Sequence, residues 1–286
     1  MAKALVYFLP GLDWPVKVAI GVLVTAAGLA LLRPPRRGPL RFALAICTIQ
    51  VGALTAIRRV VAINPASWWQ YLLPFALVVV PALFAAVILS RLGWWRLVGF
   101  TPPAEWRASP VLVPLLLTLV LPAVGLSAHG FMPTTAMILA LQVGFMLIDV
   151  SMEEVIYRGV VLEALRPFGL FWPIALSSVL FGLSHADNFF LPGTDPVGVW
   201  YQMFEAVLIG VLFACARLRL NAIWPVIAVH AAYDMMLLLA FGHAFPVAPT
   251  PAGFLVDTLV NLCLAAIALI LVGRVPRRSV RQREAA

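Results

Sequence analysis

The sequence predicts an all-α protein: a polytopic transmembrane helical bundle of about eight or nine spans with a polar intramembrane cavity. Three observations point there. The chain of 286 residues is 63% hydrophobic and 11% charged, with a mean hydropathy of +1.01, a composition that soluble domains of this length do not have. Its apolar residues form long continuous runs rather than the short alternating segments of a transmembrane barrel. The few acids and histidines inside those runs are residues that a bilayer tolerates mainly at functional sites.

At about 20 residues per helix, the spans fall at 15–32, 40–57, 68–89, 110–128, 136–166, 171–186, 200–216, 221–241 and 252–273. The two short ones, 171–186 and 200–216, are either partly re-entrant or extended into their flanking loops. Trp68, Trp69, Trp94, Trp95 and Trp106 lie near span ends, where interfacial aromatics belong. With nine spans, 16 of the lysines and arginines fall on one side, against Lys3, Lys17, Arg58 and Arg59 on the other. That asymmetry places the C-terminus in the cytoplasm and the N-terminus outside, with Arg58 and Arg59 as its dissenting pair. Residues 1–89 hold N-terminal helices without a readable motif. Residues 90–109 form a cytoplasmic interfacial linker, 110–273 a helical core with the informative polar residues, and 274–286 a basic cytoplasmic tail.

The net charge of +8 does not indicate nucleic acid. The basic residues are Arg clusters between apolar runs, where topology signals and lipid-phosphate contacts belong, so the lipid bilayer is the expected partner. Cys47, Cys215 and Cys263 lie within apolar runs without metal-type spacing, which supports neither a disulfide framework nor a Cys-ligated metal. The first apolar stretch is interrupted by Pro10, Gly11 and Asp13 and carries no cleavable signal. The compact form and the Ala-, Arg- and Pro-rich composition point to a prokaryotic plasma membrane.

The most informative residues are the adjacent Glu153 and Glu154 in the fifth span. Glu154 and Arg158 are four apart, share a helix face and stand in the order that favours an ion pair. They serve either as a support for the site or as a clamp between helices. Glu153 points about 100° away and is the candidate proton acceptor. The sixth span carries Phe181-Gly-Leu-Ser-His185 and the eighth His230-Ala-Ala-Tyr-Asp234, again with four-residue spacing. Taken singly, each histidine is as readily a satisfied structural residue. Depth joins them: at 1.5 Å per residue, Glu153, His185, His230 and Asp234 all lie roughly 14–21 Å from the cytoplasmic boundary. One water-accessible pocket accounts for that common level.

Asp149, one turn before Glu153, is expected to tune the same cavity. Glu205 lines the cavity or makes a packing hydrogen bond. Asp257 and His243 are expected at the outer interface, and Asp187 and Asp195 in a solvated exterior loop.

Two chemistries suit this set. In the first, Glu153 and His185 deprotonate a water that attacks a carbonyl, while His230 and Asp234 stabilise the oxyanion. An ionised Asp234 cannot donate, so it is either protonated or orients His230. In the second, Glu153, His185, His230 and Asp234 hold a divalent metal such as zinc that activates the water. HExxH spacing is absent, which favours the reading without a cofactor.

Glu153-Glu154-x-x-x-Arg158, Phe181-x-x-x-His185 and His230-x-x-x-Asp234, in that order on successive apolar helices, resemble the motif set of the CPBP family. These are the CAAX prenyl endopeptidases and bacteriocin-processing enzymes, also called the Abi family. Tyr157-Arg158-Gly159 and Asn221-Ala-Ile-Trp-Pro-Val-Ile-Ala-Val-His230 are similar flanking text, and the resemblance covers about residues 90–245. It implies an intramembrane endopeptidase with a helical core around a water-filled cavity. Glu153 and His185 would activate water, His230 and Asp234 would form the oxyanion site, and Glu154 and Arg158 would support the first motif. The chain departs from the prenyl endopeptidases at Asp234, where they carry Asn, which keeps the metal-dependent alternative open. The implied substrate is a peptide or a membrane-anchored protein. The alternatives are a proton-coupled transporter, a bacteriocin-immunity type binding protein, or a scaffold that has lost activity. The chain lacks the paired halves of many transporters, and the complete polar cluster argues against lost activity.

Overall fold

The computed structural model describes residues 14–32, 38–59, 78–79, 82–83, 85–87, 89–103, 109–131, 135–190, 194–241 and 249–273. Most of the span expected at 68–89, the tail at 274–286 and His243 lie outside the described residues.

Those residues form helices and turns without a strand. The helices are α1 (Trp14–Leu31), α2 (Pro39–Arg59), α3 (Leu112–Leu117), α4 (Val120–His129), α5 (Ala136–Glu154), α6 (Leu162–Ala164), α7 (Phe171–Ser184), α8 (Pro196–Leu220), α9 (Trp224–Phe241) and α10 (Pro251–Gly273). A π-helical segment, Val155–Val161, joins α5 to α6, and 3-10 turns follow at Arg166–Phe168 and His185–Phe190. Among the described residues, five stretches are long and apolar enough to cross a membrane: Pro39–Ala56, Leu112–His129, Ala136–Ala164, Trp224–Phe241 and Pro251–Gly273.

Several helix ends follow from local chemistry. Thr135 caps α5 by accepting from the Ile138 N–H at 3.3 Å. Asp195 caps α8 by accepting from the Val197 N–H at 2.8 Å, with Pro196 in the first turn, where its missing N–H costs nothing. Asn221 ends α8 in the left-handed region at φ 53°. The cap explains why α8 runs 25 residues rather than the expected 200–216. The helix thus extends into its flanking loops, one of the two expectations for this short span, with Asp195 at its start.

Two of the expected spans show local irregularities, and the expectation for Asp187 is corrected. The fifth span, expected at 136–166, runs Ala136–Ala164, and its hydrogen-bond ladder widens into the π segment after Glu154. The fourth span is α3 and α4 separated by a turn at Thr118–Leu119. Asp187, expected in solvent, is 5% exposed within the 3-10 turn that continues α7.

The N-terminal helices, which carry no readable motif, pack through small residues. A Cβ on Gly52 would lie 2.4 Å from the Thr25 backbone nitrogen, and one on Gly21 would lie 2.5 Å from that of Ala56. Backbone therefore meets backbone, the contact that glycine permits where hydrophobic driving force between helices is absent. Helix α2 then lays Ala43 and Cys47 against Tyr157, Val161, Leu165, Phe181 and Ala206. A second cluster joins α5 to α9 through Met146, Val150 and Val155 against Ile223, Ile227 and Ala231, with Val98 among them. A third holds α8 against α10 through Leu212, Ala216 and Leu220 with Leu264, Ala268 and Val272.

Candidate active site

Helix α5 delivers the two glutamates at its C-terminal end. One turn earlier the Ser151 hydroxyl donates to the Leu147 carbonyl at 2.5 Å, a back-bond that loosens and bends helices. The π segment starts four residues later. Such segments are rare and concentrate at functional sites. Here it buries Tyr157, Arg158, Gly159 and Val161 together.

Glu154 and Arg158 are both fully buried. Glu154 Oε1 accepts from His230 Nδ1 at 2.8 Å and lies 3.2 Å from Arg158 Nη1. The contact with Arg158 is an ion pair without hydrogen-bond alignment, so the three guanidinium nitrogens and Glu154 Oε2 have no hydrogen-bond partner among the described residues. The guanidinium instead stacks over Phe181, 3.9 Å from the ring centroid, and faces Phe213 at 5.5 Å. Cation and aromatic face thus compensate part of a desolvation that lone charges at this depth could not bear.

His230 links the two acidic helices. With Nδ1 donating to Glu154, Nε2 faces Asp234 Oδ2 at 3.6 Å within α9. Asp234 also lies within electrostatic reach of Asp149 and Glu154. Glu153 is only partly buried, unlike Glu154, and interacts electrostatically with Tyr157, Arg158 and His230.

His185 stands where α7 tightens into its 3-10 turn, with Nδ1 2.9 Å from the Phe181 carbonyl oxygen. Its ring lies 4.9 Å from Phe181, and the His230 ring lies 5.8 Å from that same ring. Phe181 therefore contacts Arg158, both histidines and Tyr157, the last at 5.3 Å. In the sequence Phe181 and Tyr157 stand only as motif and flanking residues, and nothing there singles out Phe213. The four-residue spacing of Phe181 and His185 was the available signal.

A second polar cluster lies between α8 and α10. Thr258 and Asn261 donate to the two carboxylate oxygens of Glu205 at 2.8 and 2.6 Å, and the Tyr201 hydroxyl donates to Asp257 at 2.5 Å. Glu205 is thus held by packing hydrogen bonds, and Asp257 is tied to a neighbouring helix. The spacings Tyr201 to Glu205 and Asp257 to Asn261, both four residues, carried this pairing.

Among the described residues, no group of three or more His, Cys, Asp or Glu side chains is gathered closely enough to hold a metal ion. Glu154 Oε1 is already shared by His230 and Arg158. As arranged among the described residues, the donor set does not fit a resident metal.

Residues 133–236 match the family model of the Rce1-like proteins, described as type II CAAX prenyl endopeptidases. No curated protein and no solved structure matches the chain. The matched stretch opens just before α5 and closes two residues after Asp234, so it encloses every residue of the cluster. Over that stretch the chain is similar to the type II CAAX prenyl endopeptidases, a group of peptide-bond hydrolases.

Proposed function

We propose that the protein is an intramembrane endopeptidase whose cavity lies inside a bundle of eight or nine spans, with its C-terminus in the cytoplasm of a prokaryotic cell. Glu153 and His185 take a proton from a water, whose oxygen attacks the scissile carbonyl; the C–N bond then breaks as that proton passes to the leaving amine. His230 presents Nε2–H to the oxyanion when its ring carries both protons. Asp234 orients that ring from 3.6 Å, the role open to an acceptor where an asparagine would donate. Glu154 and Arg158 support the site: the carboxylate holds His230 through Nδ1 and the guanidinium holds the carboxylate.

The observation that carries this reading is the 2.8 Å bond from His230 to Glu154. It joins two motifs 76 residues apart and leaves the neighbouring Glu153 the less buried of the acid pair. The substrate is a peptide or a membrane-anchored protein, with a prenylated C-terminus the first to test.

The test uses the full chain in lipid nanodiscs and a quenched fluorescent peptide ending in a farnesylated Cys-aliphatic-aliphatic-X sequence. Wild type cleaves it, and Glu153→Gln, His185→Ala and His230→Ala do not, while all three remain folded. Chelator leaves the rate within about twofold, the change expected when no metal-bound water takes part. Cleavage by Glu153→Gln at the wild-type rate would overturn the assignment.

A further inference from the structure

The segment preceding the core was expected to be an interfacial linker, yet its central residues are locked into the site's supports. Arg217 of α8 is 2% exposed. Its Nη2 donates to the Leu97 carbonyl at 2.9 Å and its Nε to the Val98 carbonyl at 3.3 Å. The same Nη2 lies 3.5 Å from Glu163 on α6, whose other oxygen accepts from Arg166 at 3.1 Å. One guanidinium therefore ties the linker to the end of the acid-bearing helix.

The linker also grips α9, which carries His230. The Gly99 carbonyl accepts from the Ile223 N–H at 2.8 Å, and the Thr101 hydroxyl donates to the Asn221 carbonyl at 2.5 Å. Phe100 lies edge-on to Trp224 at 4.8 Å. Gly99 has φ +99°, and a Cβ there would lie 2.4 Å from Arg217 Nε, so only glycine fits under the guanidinium. Val98 is fully buried between α5, the π segment and α9. A Cβ on Gly159, next to Arg158, would lie 2.8 Å from Val98 Cβ.

We propose that residues 97–101 are a wedge that fixes the spacing between the acid-bearing and histidine-bearing helices, with Arg217 the positioning residue that seats it. The Glu154–His230 bond spans those two helices, and a hydrogen bond weakens steeply once donor and acceptor separate by a few tenths of an ångström. The wedge lies outside the matched stretch of 133–236, so the part of the chain shared with the family is held in register by a segment from outside it. Its catalytic consequence rests on the protease reading; its geometric consequence does not.

The test measures that geometry directly in the full chain, in nanodiscs, with exposed Cys263 replaced by serine. Nitroxides go on Leu147 of α5 and Ala228 of α9, both exposed. Wild type gives one narrow distance by double electron–electron resonance. Arg217→Gln broadens or shifts it, and Arg217→Lys, which keeps one carbonyl bond, falls between. On the farnesylated peptide, Arg217→Gln lowers kcat about tenfold per folded enzyme, with KM within about twofold, as expected when positioning rather than binding is lost.

Should Arg217→Gln not fold, Gly159→Ala shifts the distance by pressing on Val98, and adding Val98→Gly restores it. An unchanged narrow distance in Arg217→Gln, or no restoration in the Gly159→Ala/Val98→Gly pair, overturns the wedge. A wild type with the narrow distance but no cleavage counts against the protease reading alone.

Discussion

The contact most open to a quantitative test is the Glu154–Arg158 pair. Both side chains are fully buried, 3.2 Å apart. Replacing Arg158 with methionine keeps most of the side-chain volume and leaves a carboxylate buried beside His230 alone. Breaking one partner of a buried pair costs about 3–5 kcal/mol, and Arg158→Met falls in that range. It also loses the stacking over Phe181, worth about 2 kcal/mol where water is excluded.

Glu154→Gln should cost less, about 3 kcal/mol. The guanidinium keeps its aromatic face, and the amide oxygen can still accept from His230 Nδ1. The double variant removes both charges, and replacing a whole buried pair by neutral groups is often close to neutral. It should therefore be more stable than the sum of the singles implies, with a coupling of about 2–3 kcal/mol, the upper range for contacting residues.

Reversible unfolding in mixed micelles with increasing denaturing detergent measures all three. Additivity within about 0.5 kcal/mol would mean that the charges do not stabilise one another, and the account of why Glu154 can be buried would fail.

Three further outcomes are expected. Phe181→Leu keeps an apolar side chain but removes the ring shared by Arg158, His185 and His230. It should lower stability by about 1–2 kcal/mol and peptide cleavage about tenfold, with circular dichroism unchanged. Gly52→Val pushes a branched side chain into the Thr25 backbone, which should part α1 from α2. Cysteines placed across that pair should then lose cross-linking, and thermal stability should fall by about 1–3 kcal/mol. Asn261→Leu leaves one Glu205 oxygen without its donor, a loss of about 1–3 kcal/mol. Cleavage per folded enzyme should stay within about twofold, because only α8 and α10 are affected.

The α5 stretch and α9 could be read from the chain because hydrocarbon thickness dictates their length, whereas α7 has only 14 residues. The spans expected at 136–166, 171–186 and 221–241 correspond to α5 with its π segment, α7 and α9. Their motif residues were visible through four-residue spacing, which is a local property of a helix. Glu154 with Arg158 and His230 with Asp234 needed no tertiary information, since each pair rises on one face of one helix.

Neither the partner of Glu154 nor the hub at Phe181 was local. Spacing assigned Glu154 only to Arg158, but the fold hands the same oxygen to His230 across 76 residues. Phe181, Phe213 and Tyr157 look like ordinary apolar residues until three helices stack them around one guanidinium. The widened turn after Glu154 is likewise invisible to a 3.6-residue pattern.

The sequence by itself determined a membrane-type helical protein and the expectation that three sets of polar residues share one depth, because bilayer energetics act on every residue separately. Only the tertiary structure decided which acid meets which histidine, and that residues 97–101 sit between their helices. Those facts depend on the approach of segments far apart in the chain, which no local pattern encodes.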